Sequence, residues 1–565
     1  MSEHTAPPLP AAQLTIALAQ LPQRVGDLAA NAAAMLEARA AVPQADLILF
    51  PEMQLTGYQL EDLVLKPALA GRAADELAKL AAATADGGPA MLVGTLIRER
   101  HSDGSIAHFN AVALLDEGRV VGVTRKHNLP NYGTFDEVRT FTAGPLPHPL
   151  AFRGVKIGVP ICEDIWHDQV CQHLTQHGAD ILLSPNGSPF EVDKDDVRTS
   201  GVVAKRVAET GLPLAYLNRV GGQDEIVFDG ASFVMNGDGS LAHQFCDWEP
   251  EVRLTHWSQT PGGWVCAPGA LMPLDQHPAD IYHAMLVSLR DYVNTNGFPG
   301  VVLGLSGGID SALSAAVAVD ALGPERVWCV MLPSRYTSQE SLEDAEGCAK
   351  MLGVRLDTIA ISPAVAAFDD MLAGVFTGKS PDLTEENIQS RTRGVSLMAI
   401  SNKFGHMVLT TGNKSEMSVG YATIYGDMAG GYNVLKDAYK LTVFALSRWR
   451  NANKPRLGRG PDGPVMPERV ITKPPSAELR PDQRDDDSLP AYEILDAILH
   501  GLVEGELSVD EVAARGFDRA VVARIERLLC LAEYKRRQAP PGVKLGSRNF
   551  GRDRRYPITN AFRTA

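Results

Sequence analysis

Three residues along the first half of the chain are of types that together could break an amide: Glu52, Lys126 and Cys162. Each stands just past a short run that reads as a strand: DLILFPE, whose Asp46 to Phe50 reads as buried, ends in Glu52, RVVGVTRK ends in Lys126, and VKIGVPIC ends in Cys162. A strand-end position is where open α/β sheets place reactive groups. A carboxylate can take a thiol proton, the thiolate can attack an amide carbon, and an ammonium can steady the oxyanion that forms. Taken singly, each residue has an ordinary reading as well: a solvated carboxylate, a solubilising lysine, a packed cysteine. It is the combination that points to nucleophilic chemistry, and the three strands are expected to share one sheet.

A second chemical centre lies in the stretch VVLGLSGGIDSALSAAVAVDAL, Val301 to Leu322. Val301 to Leu305 reads as a parallel strand, Ser306-Gly307-Gly308 as a tight turn, and Ile309, Ala312, Leu313, Ala316 and Val317 recur at helical spacing. Glycines at a helix N-terminus let backbone N–H groups approach an anion, with the macrodipole favouring phosphate. No Gly-Lys-Ser/Thr follows, so this is not the Walker arrangement. Asp310 and Ser311 stand there instead, offering a carboxylate and a hydroxyl.

The elements that must position these groups divide the chain. Its 565 residues exceed one typical domain, and 45% apolar content suits globular units with full cores. An interruption at MPLDQHP, Met272 to Pro278, marks a boundary, with units expected at 12–272 and 279–565. In the first, Leu14 to Leu21 reads as a strand, Asp27 to about Val42 as a helix and Asp46 to Phe50 as a strand, with more strands at AMLVGTLI and HFNAVALLD. In the second, a helix at Ile281 to Val293 precedes the glycine turn. Strands at VWCVMLPS, RLDTIAIS and HMVLTT then alternate with helices, as a doubly wound parallel sheet requires.

Acidic residues outnumber basic ones 68 to 53, for a formal charge of -15, which disfavours an extended nucleic-acid partner. The start MSEHTAPPLPAAQ has no basic n-region or apolar h-region, and no apolar run reaches membrane-spanning length, so no membrane association and a cytoplasmic location are expected. Seven cysteines without a C-x-x-C indicate neither a disulfide framework nor a zinc knuckle.

The first half resembles the nitrilase (carbon-nitrogen hydrolase) superfamily from Leu14 to about Leu271, on the Glu-Lys-Cys set. That resemblance implies an αββα sandwich with Glu52 as general base, Lys126 as oxyanion-stabilising cation and Cys162 as nucleophile. It also implies a further glutamate at Glu137 in TFDEVRTF, and glutamine contacts from Tyr132 of LPNYG, Ser188 of NGSPF and Lys194. Gly187 stands where the glutaminase branch has alanine, a lost methyl expected to loosen the loop slightly, and Ala231 of FDGASF stands where glycine is common.

SGGIDS resembles the pyrophosphate loop of the N-type ATP pyrophosphatases. The strings ENIQSR, TTGNKSE, YGDMAGGYNVLKD and PPGVKLGSRNFGRDRRYPI extend the likeness to the NAD synthetases, over Ile281 to Ala565. This implies ATP contacts from Gly304, Leu305, Ser306, Gly307, Gly308, Ile309, Asp310, Ser311, Thr411, Lys440 and Ser476. It implies deamido-NAD contacts from Asn387, Glu416, Tyr421 and Lys535, and magnesium on Asp310 and Glu416, which suits a cation that takes few carboxylates beside phosphate oxygens. The proline-, glycine- and arginine-rich stretch from Arg448 to Ser476 reads as a mobile loop or lid. Arg552, Arg554 and Arg555 read as a solvated face.

Together the resemblances imply a ligase that frees ammonia from L-glutamine and installs it on deamido-NAD through an ATP-derived adenylate, as a homo-oligomer. Because free ammonia in neutral water becomes ammonium, which has no lone pair, a sheltered passage is expected. The alternatives are an ammonia-only synthetase with an inert nitrilase-like scaffold, and another pyrophosphatase-loop amidotransferase such as a GMP synthetase or a tRNA-thiolating relative. PICEDIW is unlike the Gly-rich cysteine elbow of the former, and catalytic cysteine pairs with a basic surface are missing for the latter.

Overall fold

The computed structural model describes residues 12–475, 478–480 and 489–562. The chain divides into two compact units, one made of Met1–Gly221 and Phe228–Asp275, the other of Gly222–Val227 and Gln276–Ala565.

The first unit holds two sheets. Seven strands follow the spatial order Gly263–Cys266, Glu251–Thr260, Gln13–Gln20, Leu47–Leu49, Ala90–Arg100, Ile106–Asp116 and Arg119–Arg125. Six more follow the order Leu241–Gln244, Phe233–Met235, Leu214–Leu217, Ile181–Pro185, Val155–Gly158 and Leu150–Phe152. Alternation along each strand decides the layers. Leu14, Ile16, Leu18, Leu47, Leu49, Leu92 and Val112 turn one way and pack with Ile157, Val159, Ile181, Leu183 and Leu217 of the other sheet. The opposite face of the seven-stranded sheet, with Ala17, Ile48, Met91 and Val93, is covered by Met35, Leu77 and Leu80 of two helices, Leu28–Ala40 and Pro67–Ala83. On the outer face of the six-stranded sheet, Leu182, Tyr216 and Phe233 meet Val170 and Leu174 of helix Asp168–Gln176 and Val203 and Val207. This is the expected αββα sandwich.

One sequence expectation is overturned. Glu52 and Lys126 follow strands of the seven-stranded sheet, but Cys162 follows Val155–Gly158 of the six-stranded one. A short apolar run reports a strand, not which sheet it joins. The active groups therefore come from both layers of the sandwich.

In the second unit five parallel strands lie in the order Arg355–Thr358, Val327–Met331, Val301–Gly304, Met407–Thr410 and Tyr432–Asn433. The chain runs outward one way from Val301–Gly304 and then resumes on its other side at Met407–Thr410, which makes the sheet doubly wound. That reversal opens a crevice at the strand ends beside the glycine turn. Gly307 shows why the turn needs glycine: φ is +82°, and a Cβ would come within 2.2 Å of the Ser341 carbonyl oxygen. Left-handed geometry alone costs an alanine about 1–2 kcal/mol, and the clash with backbone adds to it. Gly307→Ala is therefore expected to lower the midpoint of the second unit's unfolding and to weaken at least tenfold, read by calorimetric titration, the ATP binding that the resemblance implies.

The stretch from Arg448 is tied down rather than loose. The buried Arg450 guanidinium bonds Asp320 at 2.6 Å and 3.1 Å and the carbonyls of Pro461 and Gly463. Val465, Met466, Val470 and Ile471 are buried. In the basic tail Arg554 is also buried, paired with Glu533 at 2.7 Å. Spacing in the sequence could not reveal these acidic partners, which come from far along the chain. No helix among the described residues is long and apolar enough to cross a membrane.

Candidate active site

In the first unit the Lys126 ammonium sits fully enclosed between two carboxylates, 2.8 Å from Glu52 Oε1 and 2.9 Å from Glu137 Oε2. Asn110 Nδ2 donates to Glu52 Oε1 at 2.7 Å, and the Gly187 N–H donates to Glu52 Oε2 at 2.9 Å. Both oxygens of Glu52 are thereby oriented. Burial opposes the Lys126 charge, yet Glu137 and Glu52 outweigh it and hold its pKa well above the usual lysine value. Burial raises Glu137, with Lys126 pulling the other way. The Cys162 thiol is buried on the single helical turn Cys162–Ile165, and burial with the nearby Glu52 pushes its pKa well above the ordinary thiol value. The Cys162 backbone φ is +46°, strained for a residue with a side chain.

Asp164 holds this turn in place. One of its oxygens accepts from the N–H groups of His127 and Asn128, beside Lys126, and the other from Ile161, beside Cys162. Burial raises its pKa from 3.8 to about 6. A carboxyl whose folded pKa lies above its unfolded one stabilises the fold fully below pH 4 and loses that contribution as pH rises through about 6. The loss amounts to about 3 kcal/mol. Asp164→Asn in the full chain is expected to flatten the fall in stability of the first unit between pH 4 and pH 7.5, measured by denaturant titration at each pH.

Of the expected glutamine contacts, Tyr132 is 55% exposed and its hydroxyl donates to Glu163 Oε2 at 2.9 Å. Ser188 is buried; its N–H donates to Asn218 Oδ1 and its hydroxyl accepts from Arg198 Nε. Lys194 opens the short turn Lys194–Asp196, half-buried. Sequence reasoning missed Asn110, Asp164, Arg198 and Tyr58. Arg198 is buried against Asp229 at 2.6 Å, and the Tyr58 ring lies 5.8 Å from the Lys126 ammonium. Nothing in single-sequence spacing distinguishes such residues from ordinary core or surface ones.

Gly187 corrects the expectation of a loosened loop. A Cβ there would come within 2.6 Å of the Tyr58 ring and 3.1 Å of Glu52 Oε2. In this chain the missing methyl allows close approach of the loop to the base. Gly187→Ala is therefore expected to cut kcat/KM for glutamine at least tenfold and to leave ammonia-driven synthesis unchanged in a side-by-side assay. At Ala231, where glycine is common in the resembling family, φ is +49°.

In the second unit a cavity of about 310 Å³ opens at the sheet's crevice. Gly304, Leu305, Ser306, Gly307, Gly308, Ile309, Asp310 and Ser311 line it, as do Thr411, Lys440, Glu416 and Tyr421. The loop is braced internally: the Ser311 hydroxyl donates to the Gly308 carbonyl at 3.0 Å and lies 3.1 Å from the Ser306 hydroxyl. Asp310 and Glu416 share the Lys440 ammonium, which lies 3.3 Å from Glu416 Oε1, and Asn413 Nδ2 donates to Asp310 Oδ1 at 2.9 Å. Ser476 lies outside the described residues. Asn387 and Lys535 do not line this cavity but hold the turn that does: Asn387 Oδ1 accepts from Thr423, and Lys535 Nζ donates to the carbonyls of Gly420 and Ala422. Arg393 and Lys473 also line it, Lys473 Nζ lying 2.7 Å from the Ser341 hydroxyl.

Residues 15–258 match the family model of carbon-nitrogen hydrolases and residues 281–539 that of NAD synthases. A glutamine-dependent NAD(+) synthetase of Rhodobacter capsulatus is 54% identical over 97% of this chain and 98% of its own. The chain belongs to the glutamine-dependent NAD(+) synthetases. The solved glutamine-dependent NAD+ synthetase of Acinetobacter baumannii, in complex with ADP, is 42% identical with a TM-score of 0.76, over 98% of this chain and all of that one. That of Cytophaga hutchinsonii, at 22% identity, 97% and 98% coverage and a TM-score of 0.79, shares the fold. A glutamine-dependent NAD(+) synthetase is an amidating ligase that forms a C–N bond with nitrogen from glutamine, and this chain carries both the hydrolase and the synthase parts. The buried Glu52–Lys126 pair belongs to the hydrolase part, and the glycine loop to the synthase part.

Proposed function

We propose that residues 12–272 hydrolyse L-glutamine and residues 279–565 use the ammonia to amidate deamido-NAD+ at the expense of ATP. The observation that carries this reading is the enclosed Lys126 ammonium between Glu52 and Glu137, in the same unit as the buried Cys162 thiol. Glu52 takes the thiol proton as sulfur attacks the carboxamide carbon, and the enclosed Lys126 ammonium neutralises the oxyanion. The amide nitrogen leaves as ammonia with the proton returned by Glu52. Water, activated by the same carboxylate, then cleaves the thioester to glutamate. Tyr132, Ser188 and Lys194 hold the glutamine, and Glu137 keeps Lys126 charged and fixed.

In the second unit the nicotinate carboxylate attacks the α-phosphorus of ATP, and pyrophosphate departs toward the backbone N–H groups of Ser306 to Ser311 at the helix N-terminus. Thr411, Lys440 and Ser476 complete the ATP contacts, and Glu416, Tyr421, Asn387 and Lys535 those of the dinucleotide. Ammonia then displaces AMP from the acyl adenylate. Asp310 and Glu416 fit magnesium: both are oxygen donors, and they already converge on one cation, the Lys440 ammonium. Magnesium held there supplies charge neutralisation for the phosphates. The formal charge of -15 supports an enzyme acting on small molecules rather than on nucleic acid, and the family likeness supports a cytoplasmic homo-oligomer.

Incubating the purified chain with deamido-NAD+, ATP, magnesium and glutamine is expected to yield NAD+, AMP, pyrophosphate and glutamate in equal amounts. ADP as the nucleotide product, or no amidated dinucleotide with either glutamine or ammonia, would overturn the reading.

A further inference from the structure

Away from both catalytic clusters, three histidines of the first unit come together. His173 and His177, four residues apart, occupy one face at the end of helix Asp168–Gln176, His177 being the residue that caps it. His148 reaches them from the loop ahead of strand Leu150–Phe152. Ring centroids are 4.0 Å apart for His173 and His177, 4.5 Å for His148 and His177, and 5.3 Å for His148 and His173. One ring nitrogen from each lies within 4.8 Å of the others.

Two hydrogen-bonding facts suit these rings to a metal. His177 Nδ1 lies 2.8 Å from the His173 carbonyl oxygen, so it carries the proton and donates, which leaves the Nε2 lone pair available. His173 Nε2 is buried with no hydrogen-bond partner among the described residues. Helical i, i+4 histidines plus a third from a neighbouring loop supply three nitrogens and leave a fourth position to water. A tetrahedral zinc ion with bonds of about 2.0–2.1 Å sets its nitrogens about 3.4 Å apart. The exposed His148 and His177 can close that difference by side-chain rotation.

We propose that His148, His173 and His177 form a site for one divalent transition-metal ion of the imidazole-preferring kind, zinc or cobalt, nickel or copper in its place. The ion staples the loop bearing His148 to helix Asp168–Gln176. Both ends of that staple lead to the amide-cleaving groups. Gly144 in the loop donates its N–H to the Lys126 carbonyl at 2.8 Å and accepts from His127 Nδ1 at 2.7 Å. The helix starts two residues beyond the turn that carries Cys162 and its C-cap Trp166. Metal occupancy therefore stiffens the two segments that position Lys126 and Cys162.

The test uses the full-length chain without a histidine tag, stripped of metal, in a Cys162→Ala background so that the nucleophile cannot compete as a ligand. Titration with Co2+ is expected to give the intense visible bands of a four-coordinate nitrogen site at one equivalent. His148→Ala and His177→Ala, both at exposed positions, are each expected to lose those bands and to weaken binding at least about 100-fold. Zinc is expected to raise the unfolding temperature of the parent and not of His148→Ala. Unchanged Co2+ spectra and affinity in both variants, or no four-coordinate spectrum in the parent, would overturn the proposal. Circular dichroism of the metal-free variants, matching the parent, distinguishes loss of a ligand from loss of fold.

Discussion

Cys162→Ala is expected to abolish NAD+ formation from glutamine, by at least about 10³-fold in kcat, and to leave formation from ammonia within a factor of two or three. The asymmetry follows from where the sulfur sits. In the proposed function its covalent step belongs to one unit, and the substitution removes one buried atom beside an ion pair that retains all its partners: Lys126 keeps Glu52 and Glu137, and Glu52 keeps Asn110 and Gly187. Alanine also removes the attacking group without adding charge. Steady-state assays with each nitrogen donor, on protein of matched stability, decide the matter. Equal loss with both donors would contradict the division of labour between the units.

Asp310→Asn is expected to do the converse, lowering synthesis from either nitrogen donor by about 10²–10³-fold while thioester formation at Cys162 continues. Asp310 is the group on which the glycine loop, Asn413 and Lys440 converge. The amide is isosteric and keeps an oxygen for Asn413, so the fold is preserved. What is lost is one negative charge of the carboxylate pair that shares Lys440, the pair that would hold magnesium under the proposed function. With only Glu416 left to share the site, Lys440 and a divalent cation have a single carboxylate between them. Single-turnover measurement of acyl-adenylate formation, with trapping of the thioester as the parallel readout, checks both halves. Retention of adenylate formation at the parent rate would remove Asp310 from the phosphoryl step.

Much of the site was legible because its chemistry is carried by short segments. Ser306 to Ser311 must be strand, turn and helix N-terminus in succession, and only a residue free of Cβ tolerates the geometry at Gly307. Glu52, Lys126 and Cys162 could be singled out because each ends an apolar run. The sheet that Cys162 follows could not, since a short apolar run looks the same in either layer. Arg391 and Arg393, two residues apart on helix Leu383–Phe404, look equivalent in sequence. Yet Arg391 is exposed, whereas Arg393 lines the cavity with Nε on the Leu332 carbonyl and is lowered in pKa by burial. Likewise the tie between Arg450 and Asp320 spans 130 positions and has no local signature.

The order of residues by itself determined which groups are available, where strands hand over to turns and helices, and hence two kinds of chemistry in one chain. These are local consequences of steric limits on φ and ψ and of apolar periodicity, which act over a few neighbouring residues. Only the tertiary structure decided that Glu137 and Glu52 enclose Lys126, that Gly187 must lack a methyl to approach Tyr58 and Glu52, and that three scattered histidines share one spot. Such convergence is set by packing of whole layers, where contacts depend on distance in space and are indifferent to separation along the chain.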